Sequence, residues 1–285
     1  MAPSWLARIG WAALPLTVGP ALADALRPAS VDVRVVASTI AWAAWVVGLV
    51  ATLVPRTTSL TVVRIGAPAA LAAALWGALG ASVDASDVVA LTWSTLTVAV
   101  ALTPTTADAF VDGSSYGPER RMALRTPGPL LFGPVVLAWA VVAAGVASGP
   151  LLLAAHQWVA GLLALLAGGP AALVAARALH GLSRRWVVFV PAGVVIHDPL
   201  ALTEPVLFLR DRVRRIGPAE RGTDSLDLTA RAVGLALALD LTETTTVGLR
   251  RGRRPAELVG ANGILFTPGR PGSLLAEARR RRLPV

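Results

Sequence analysis

The side chains best suited to chemistry crowd into residues 103–129, TPTTADAFVDGSSYGPERRMALRTPGP. Asp112, Glu119, Arg120, Arg121 and Arg125 set acids and guanidinium groups around a Gly113-Ser114-Ser115-Tyr116-Gly117 turn, which holds the chain's single tyrosine. Arginine forks match phosphate oxygens two at a time, so this pattern favours capture of a phosphate or lipid headgroup by Arg120 and Arg121. A plainer reading carries more weight. Pro118 at a helix start, Glu119 in its first turn and the Ser114-Ser115 turn before it are capping features. A short interfacial helix would then dip Met122 and Leu124 into the bilayer surface while the arginines reach anionic headgroups.

Other polar groups promise less. His156 and Gln157 form the one polar pair expected within an apolar span. A proton relay there needs a carboxylate at matching depth, and no other span supplies one, so the pair reads as hydrogen-bonded packing. Arg64 lies about a turn inside its span and can reach the nearer surface. His197-Asp198 lacks an accompanying G-x-S-x-G nucleophile motif and reads as an exposed strand end. No P-loop, dinucleotide fingerprint or H-E-x-x-H pattern occurs, and with no cysteine the chain has no thiolate chemistry, so no cofactor or metal is expected. Arg250–Arg254 and Arg279–Arg282 are basic runs that either form solvated surface or hold the domain against anionic lipid.

These residues must be positioned by two very different regions. The chain is 55% hydrophobic and only 15% charged, with mean hydropathy +0.65. Residues 1–182 contain nine arginines against seven acids, and residues 183–285 contain seventeen against ten. A nearly uncharged stretch followed by a charged one predicts a helical membrane region, 1–182, and a water-soluble domain, 183–285. The net charge of +9 follows from holding positive charge on the cytoplasmic side, and nucleic acid is not an expected partner. All 26 bases are arginine, a coding bias and not a recognition signal.

Six segments approach the length of a span: 9–26, 35–54, 60–80, 88–103, 130–147 and 151–179. The first, with Arg8 before it and Ala21-Leu22-Ala23 near its end, reads either as a retained helix or as a cleaved signal peptide; its flanks favour retention. Arginines near the segment ends put the 103–129 loop, the N-terminus and the C-terminal domain in the cytoplasm, in a multi-pass protein of the plasma membrane. Trp5, Trp11, Trp76 and Trp158 are expected at interfaces, with Trp42, Trp45, Trp93 and Trp139 packed deeper.

Beyond residue 183 the period becomes two. Strand-like runs at 186–190, 194–198, 206–209, 212–216, 226–228, 233–241, 244–249 and 264–266 precede a helix at 274–282. The hairpin WVVFVPAGVVIHD and the unit GILFTPGRPGSLLAEARRR resemble the bacterial pleckstrin-homology-like (PH-like) domains, which implies a small barrel of about seven strands capped by a helix. FVDGSSYGPERRMALRTP, residues 110–127, is similar to a segment of uncharacterised actinobacterial multi-pass membrane proteins, a likeness that implies no activity. Asp112-Gly113 also opens like the metal motif of phospholipid-synthesising phosphotransferases. The Ala-Arg pair and two downstream aspartates of that motif are missing here.

The expected architecture is a bundle of about six spans followed by a β-rich, PH-like domain with a C-terminal helix. The expected function is a non-enzymatic scaffold or regulator whose cytoplasmic domain contacts anionic lipid headgroups or protein partners. The competing function is a membrane enzyme or small-solute transporter using the 103–129 loop or the bundle.

Overall fold

A computed structural model describes residues 4–79, 83–220, 222–250, 252 and 255–285. Gly80, at the end of the third expected span, and three arginines of the 250–254 run lie outside the described residues. Six helical stretches are long and apolar enough to cross a membrane, which makes the chain a multi-pass integral membrane protein in contact with the bilayer. The first stretch is broken into α1 (Ser4–Ala12), α2 (Leu14–Thr17) and α3 (Gly19–Ala25). Pro15 and Pro20 fall in the first turns of α2 and α3, where a missing N–H costs least. The next three spans are α4 (Val31–Leu53), α5 (Thr57–Ala78) and α6 (Ala85–Leu102). Ser30 caps α4 through Val33 N, and Asp84 and Asp87 form a capping box on α6.

The last two spans differ from their expected bounds. After α7 (Pro104–Asp112), strand β1 (Arg120–Ala123) and the short α8 (Gly128–Leu131), the chain forms α9 (Pro134–Ala154) and α10 (Trp158–Ser183). The hairpin therefore turns at 155–157, not at Ser148-Gly149-Pro150. Gly149 belongs to the α9–α10 contact, where a Cβ would meet the Leu165 side chain at 2.6 Å. Pro150 is carried inside the helix, as packed membrane helices allow.

Indole N–H groups have no water to bond in hydrocarbon, and this bundle gives them carbonyls. Trp11 and Trp45 exchange bonds, each Nε1 donating to the other's carbonyl oxygen at 2.8 and 3.1 Å. Pro15 cannot donate to Trp11 O four residues back, which leaves that oxygen open to Trp45. Trp139 Nε1 donates to Ile65 O at 2.9 Å on α5, which carries Pro68 within it. Trp93 Nε1 donates to Gly10 O at 2.9 Å. Trp11, expected at an interface, is instead 3% exposed and fills a slot over Gly48 and Gly66, while Trp42, expected to be packed, stands half-exposed on α4.

The chain resolves into two compact units, residues up to Ala109 with Val135–His180, and Phe110–Pro134 with Gly181–Val285. The second unit contains β1, β2 (Trp186–Val190), β3 (Gly193–His197), β4 (Val206–Leu209), β5 (Val213–Pro218), β6 (Leu226–Asp227), β7 (Leu237–Leu249), β8 (Glu257–Phe266) and α11 (Pro271–Arg280). They form two four-stranded sheets, ordered β1-β2-β3-β4 and β5-β7-β8-β6. The sheets touch through isolated bridges, Leu124 to Pro268 and Leu202 to Leu249, and a closed barrel ladder is not among the described pairings. The runs expected at 233–241 and 244–249 are one strand with a register shift between Asp240 and Thr245. Phe189, Ile196, Phe208, Ile216, Leu239, Ile264, Phe266 and Leu274 fill the core.

Strand β1 is the element that sequence patterning misassigned. Met122 and Leu124 are two residues apart, nearly opposite on a helix but on one side of a strand. Both are buried in the core, so the expected interfacial helix is replaced by a strand paired antiparallel to β2, with Met122 opposite Val187 and Ala123 opposite Trp186.

Replacing Trp11 with alanine empties the slot over Gly48 and Gly66 and removes the indole's hydrogen bond to Trp45 O. The expected cost is about 3 kcal/mol, the low end for Trp→Ala, because the unfolded chain stays in lipid or detergent. The thermal midpoint of the purified protein in detergent should fall, whereas Trp42→Ala should leave it nearly unchanged.

Candidate functional site

The candidate residues separate into one cluster and two outliers. Asp112, at the end of α7, pairs with Arg120 Nη1 through Oδ2. Its Oδ1 accepts bonds from Arg121 N at 2.9 Å and Ser115 Oγ at 3.0 Å. Glu119 Oε2 accepts from Arg121 Nη2 at 3.0 Å and from Tyr116 N at 3.4 Å. The phenol of Tyr116 projects from this turn, the residue being 85% exposed. Gly117 supplies the left-handed backbone, φ 57°, that brings the chain round into β1.

The cluster balances its own charge. Asp112 holds the Arg120 guanidinium and Glu119 holds that of Arg121, so neither arginine is a bare cation waiting for phosphate. Asp112 accepts three bonds and would have to surrender them to act as a base. On the outer face of the sheet, Arg121 lies over the Trp186 ring at 5.9 Å, and that ring lies 4.5 Å from His197. Arg281 binds the approach to β1 by donating to Pro118 O at 2.5 Å, and it is held in turn by buried Glu277.

Arg125 stands apart from the cluster. Its backbone N–H donates to Thr267 O at 2.8 Å, and its Nε is enclosed without a hydrogen-bond partner beside Gly234. His156 and Gln157 are not inside a span. They occupy the α9–α10 turn, and His156 Nε2 lies 3.3 Å from Asp32 Oδ2, both side chains exposed. This follows from the turn having moved to 155–157. Arg64 Nε is enclosed within the bundle without a hydrogen-bond partner, so that atom does not reach the surface.

Sequence reasoning passed over Arg185 and took Asp198 for an exposed strand end, yet the two are deeply buried charges of the β unit. Arg185 and Asp198 are 2% and 0% exposed at the side chain and form a two-pronged pair, Nε to Oδ1 at 2.9 Å and Nη2 to Oδ2 at 2.6 Å. Arg185 Nη1 also donates to Arg125 O at 2.7 Å. The only hint in the sequence is placement, since the two residues bracket the WVVFVPAGVVIH hairpin. An open cleft of about 490 Å³ lies elsewhere in the unit, where Glu220 and Asp240 offset Arg214 and Arg215. Among the described residues no group of three or more His, Asp or Glu is placed to hold a metal ion.

No protein-family model, curated protein or solved structure matches the chain.

His197 gives the site a pH dependence. Burial, then the charge of Arg184, pushes its pKa below the ordinary value, with Asp198 opposing and Arg121 adding to the depression. The unfolded chain therefore binds the proton more readily than the folded one. Stability is unpenalised above about pH 6.5 and declines as pH falls from there to the native pKa, below which the penalty is constant. His197→Phe keeps a ring against Trp186 and removes the titration. Between about pH 7.5 and about pH 5.5 the thermal midpoint of the wild type should fall further than that of the variant; equal declines would exclude His197 as the titrating group.

Proposed function

We propose that this protein is a non-enzymatic scaffold or regulator whose β unit, PH-like in its strands followed by a terminal helix, works at the cytoplasmic face of the plasma membrane on lipid headgroups or protein partners. The observation that carries this reading is β1. A strand drawn from between the fourth and fifth spans completes a sheet otherwise built from residues beyond the sixth, so the unit is sewn to the membrane region at several points of the chain. Such tethering suits a domain that presents a surface at the bilayer and does not leave it.

The site chemistry supports the same reading. The one hydroxyl bonded to a carboxylate in the 112–121 cluster, Ser115 on Asp112, meets an acid already engaged by Arg120 and by Arg121 N, and Glu119 is engaged by Arg121. The cluster's exposed groups are a phenol and the outer faces of balanced ion pairs, which suit contact with a polar surface. Charge placement supports a cytoplasmic β unit. Arg56 and the three arginines of 103–127 share a side with the basic unit, while Arg27 on the other side is paired with Asp24 at 2.7 Å.

With no native cysteine, Ser115→Cys reports topology directly. A membrane-impermeant maleimide should label it in inverted vesicles and not in intact cells; labelling of intact cells would reverse the orientation. Arg120→Ala with Arg121→Ala should reduce crosslinked partner recovery from membranes or weaken the response of a probe at 116 to anionic lipid. If both readouts stay at wild-type level, the cluster is not the contact surface.

A further inference from the structure

The β unit has an apolar patch that its own core does not cover. Phe132 is 89% exposed and Leu131 38%, immediately before α9 begins at Pro134. The 229–235 loop adds Val233 at 64% and Leu235 at 52% exposure. The two segments are joined: Gly128 N donates to Arg231 O at 3.3 Å, and a Cβ on Gly128 would lie 3.7 Å from Val233 Cγ2. Leu235 shares its alternation with the buried Leu237, Leu239 and Leu241, yet it falls outside β7 and stays uncovered.

The loop holds a defined shape. Ala230 and Arg231 have φ of 49° and 57°, unusual for residues other than glycine, and Gly234 has φ 140°. Ala232 N donates to Thr229 O at 3.0 Å, and Thr229 N donates to Asp227 Oδ1 at 2.7 Å. Arg125 packs under the loop, its Nε only 2.9 Å from where a Gly234 Cβ would stand. Local strain that surrounding contacts hold in place is typical of segments kept for a purpose.

What covers the patch is indicated by the chain itself. Gly128–Ala154 is one continuous apolar stretch of membrane-span character. Phe132 is therefore two residues from a helix that enters hydrocarbon, and Val233 is joined to residues six positions from it. We propose that the 229–235 loop is a membrane-dipping loop: Val233 and Leu235 enter the leaflet that α9 enters, beside Leu131 and Phe132, while exposed Arg231 meets the lipid phosphates. Apolar side chains at the headgroup boundary with an arginine reaching outward are the composition such a contact requires. The inference rests on the reading that the β unit works at the bilayer face, and it assigns that contact to a surface other than the 112–121 cluster.

Single-cysteine variants of the full chain, labelled with an environment-sensitive fluorophore and reconstituted into phosphatidylcholine–phosphatidylglycerol vesicles, test it. Val233→Cys should be quenched by a nitroxide on the upper acyl chain, with roughly half or more of its emission lost, and shielded from aqueous iodide. Leu235→Cys provides the same readout should the first variant fold poorly. Gly128→Ala places a Cβ 2.5 Å from Arg231 O, so it must displace the loop and lower the acyl-chain quenching at 233. Arg231→Gln should leave the quenching but abolish its enhancement by phosphatidylglycerol. Probes at 233 and 235 that are open to iodide and blind to the nitroxide would overturn the proposal. Tyr116→Cys, read with a headgroup nitroxide, separates the two ideas: a response there with none at 233 sinks the loop and keeps the cluster.

Discussion

Backbone hydrogen bonds between Arg120–Ala123 and Trp186–Phe189 impose the constraint on which the rest of this structure depends. Strands sharing a ladder lie in one compartment, since an open ladder cannot run through hydrocarbon. The chain between them must then cross the membrane an even number of times, and α9 and α10 supply two crossings. The same parity sorts the other connections, with 26–30 and 155–157 on one side and 54–56 and 103–127 on the other. Contacts inside the bundle agree with that sorting. Asp32 meets His156 near one end, and Thr61 Oγ1 meets His180 Nδ1 at 2.9 Å near the other. A slip of β1 by one residue would turn Met122 and Leu124 out of the core and Arg121 into it, so the register is as constrained as the pairing.

The buried pair of Arg185 with Asp198 secures that ladder at its end. With Trp186 opposite His197, these two residues form the next cross-strand position of the β2–β3 hairpin. The third arginine donor reaches Arg125 O, and Leu124 N donates to the main-chain Arg185 O at 3.0 Å, so three chain segments meet at this residue. Against an apolar replacement such a pair brings little net stability, because both charges lose their water. Losing one partner alone would leave the other buried and uncompensated, at about 3–5 kcal/mol. What the pair supplies is geometry: planar, two-pronged bonding that tolerates only one relative placement of the strands.

The parts legible in the sequence were those written as long runs of one character. Six apolar segments, the change to period two near residue 183 and the terminal helix all rest on many residues voting together. The failures fall where a few residues decide. Ser148-Gly149-Pro150 has turn composition, yet tertiary packing against Leu165 overrides it and carries the helix on to Ala154. Met122 and Leu124 held the correct period for a strand, but Pro118 and Glu119 just before them imitated a helix start. The candidate cluster could be guessed as a set of neighbours in sequence. That its acids and bases would neutralise one another depends on the turn at Gly117, which composition alone does not fix. The Arg185–Asp198 pair joins residues thirteen apart and becomes visible only once the hairpin register is known.

Charge and exposure together change which surface matters. The arginines most conspicuous in the sequence, Arg120 and Arg121, are balanced by Asp112 and Glu119, while the inconspicuous Val233, Leu235 and Phe132 stand uncovered. Six spans already retain this protein in the membrane, so the bilayer contact proposed for the β unit would act on orientation, not on anchoring. A tethered unit meets the bilayer at high effective concentration, and a weak contact is then enough to hold one pose. Each buried methylene contributes about 0.8 kcal/mol, so partial burial of one valine and one leucine suffices to favour a docked pose several-fold while leaving it reversible. A pose held that lightly can be shifted by a partner that binds another face of the unit, which is the property a membrane scaffold or regulator needs and a rigidly fixed domain lacks.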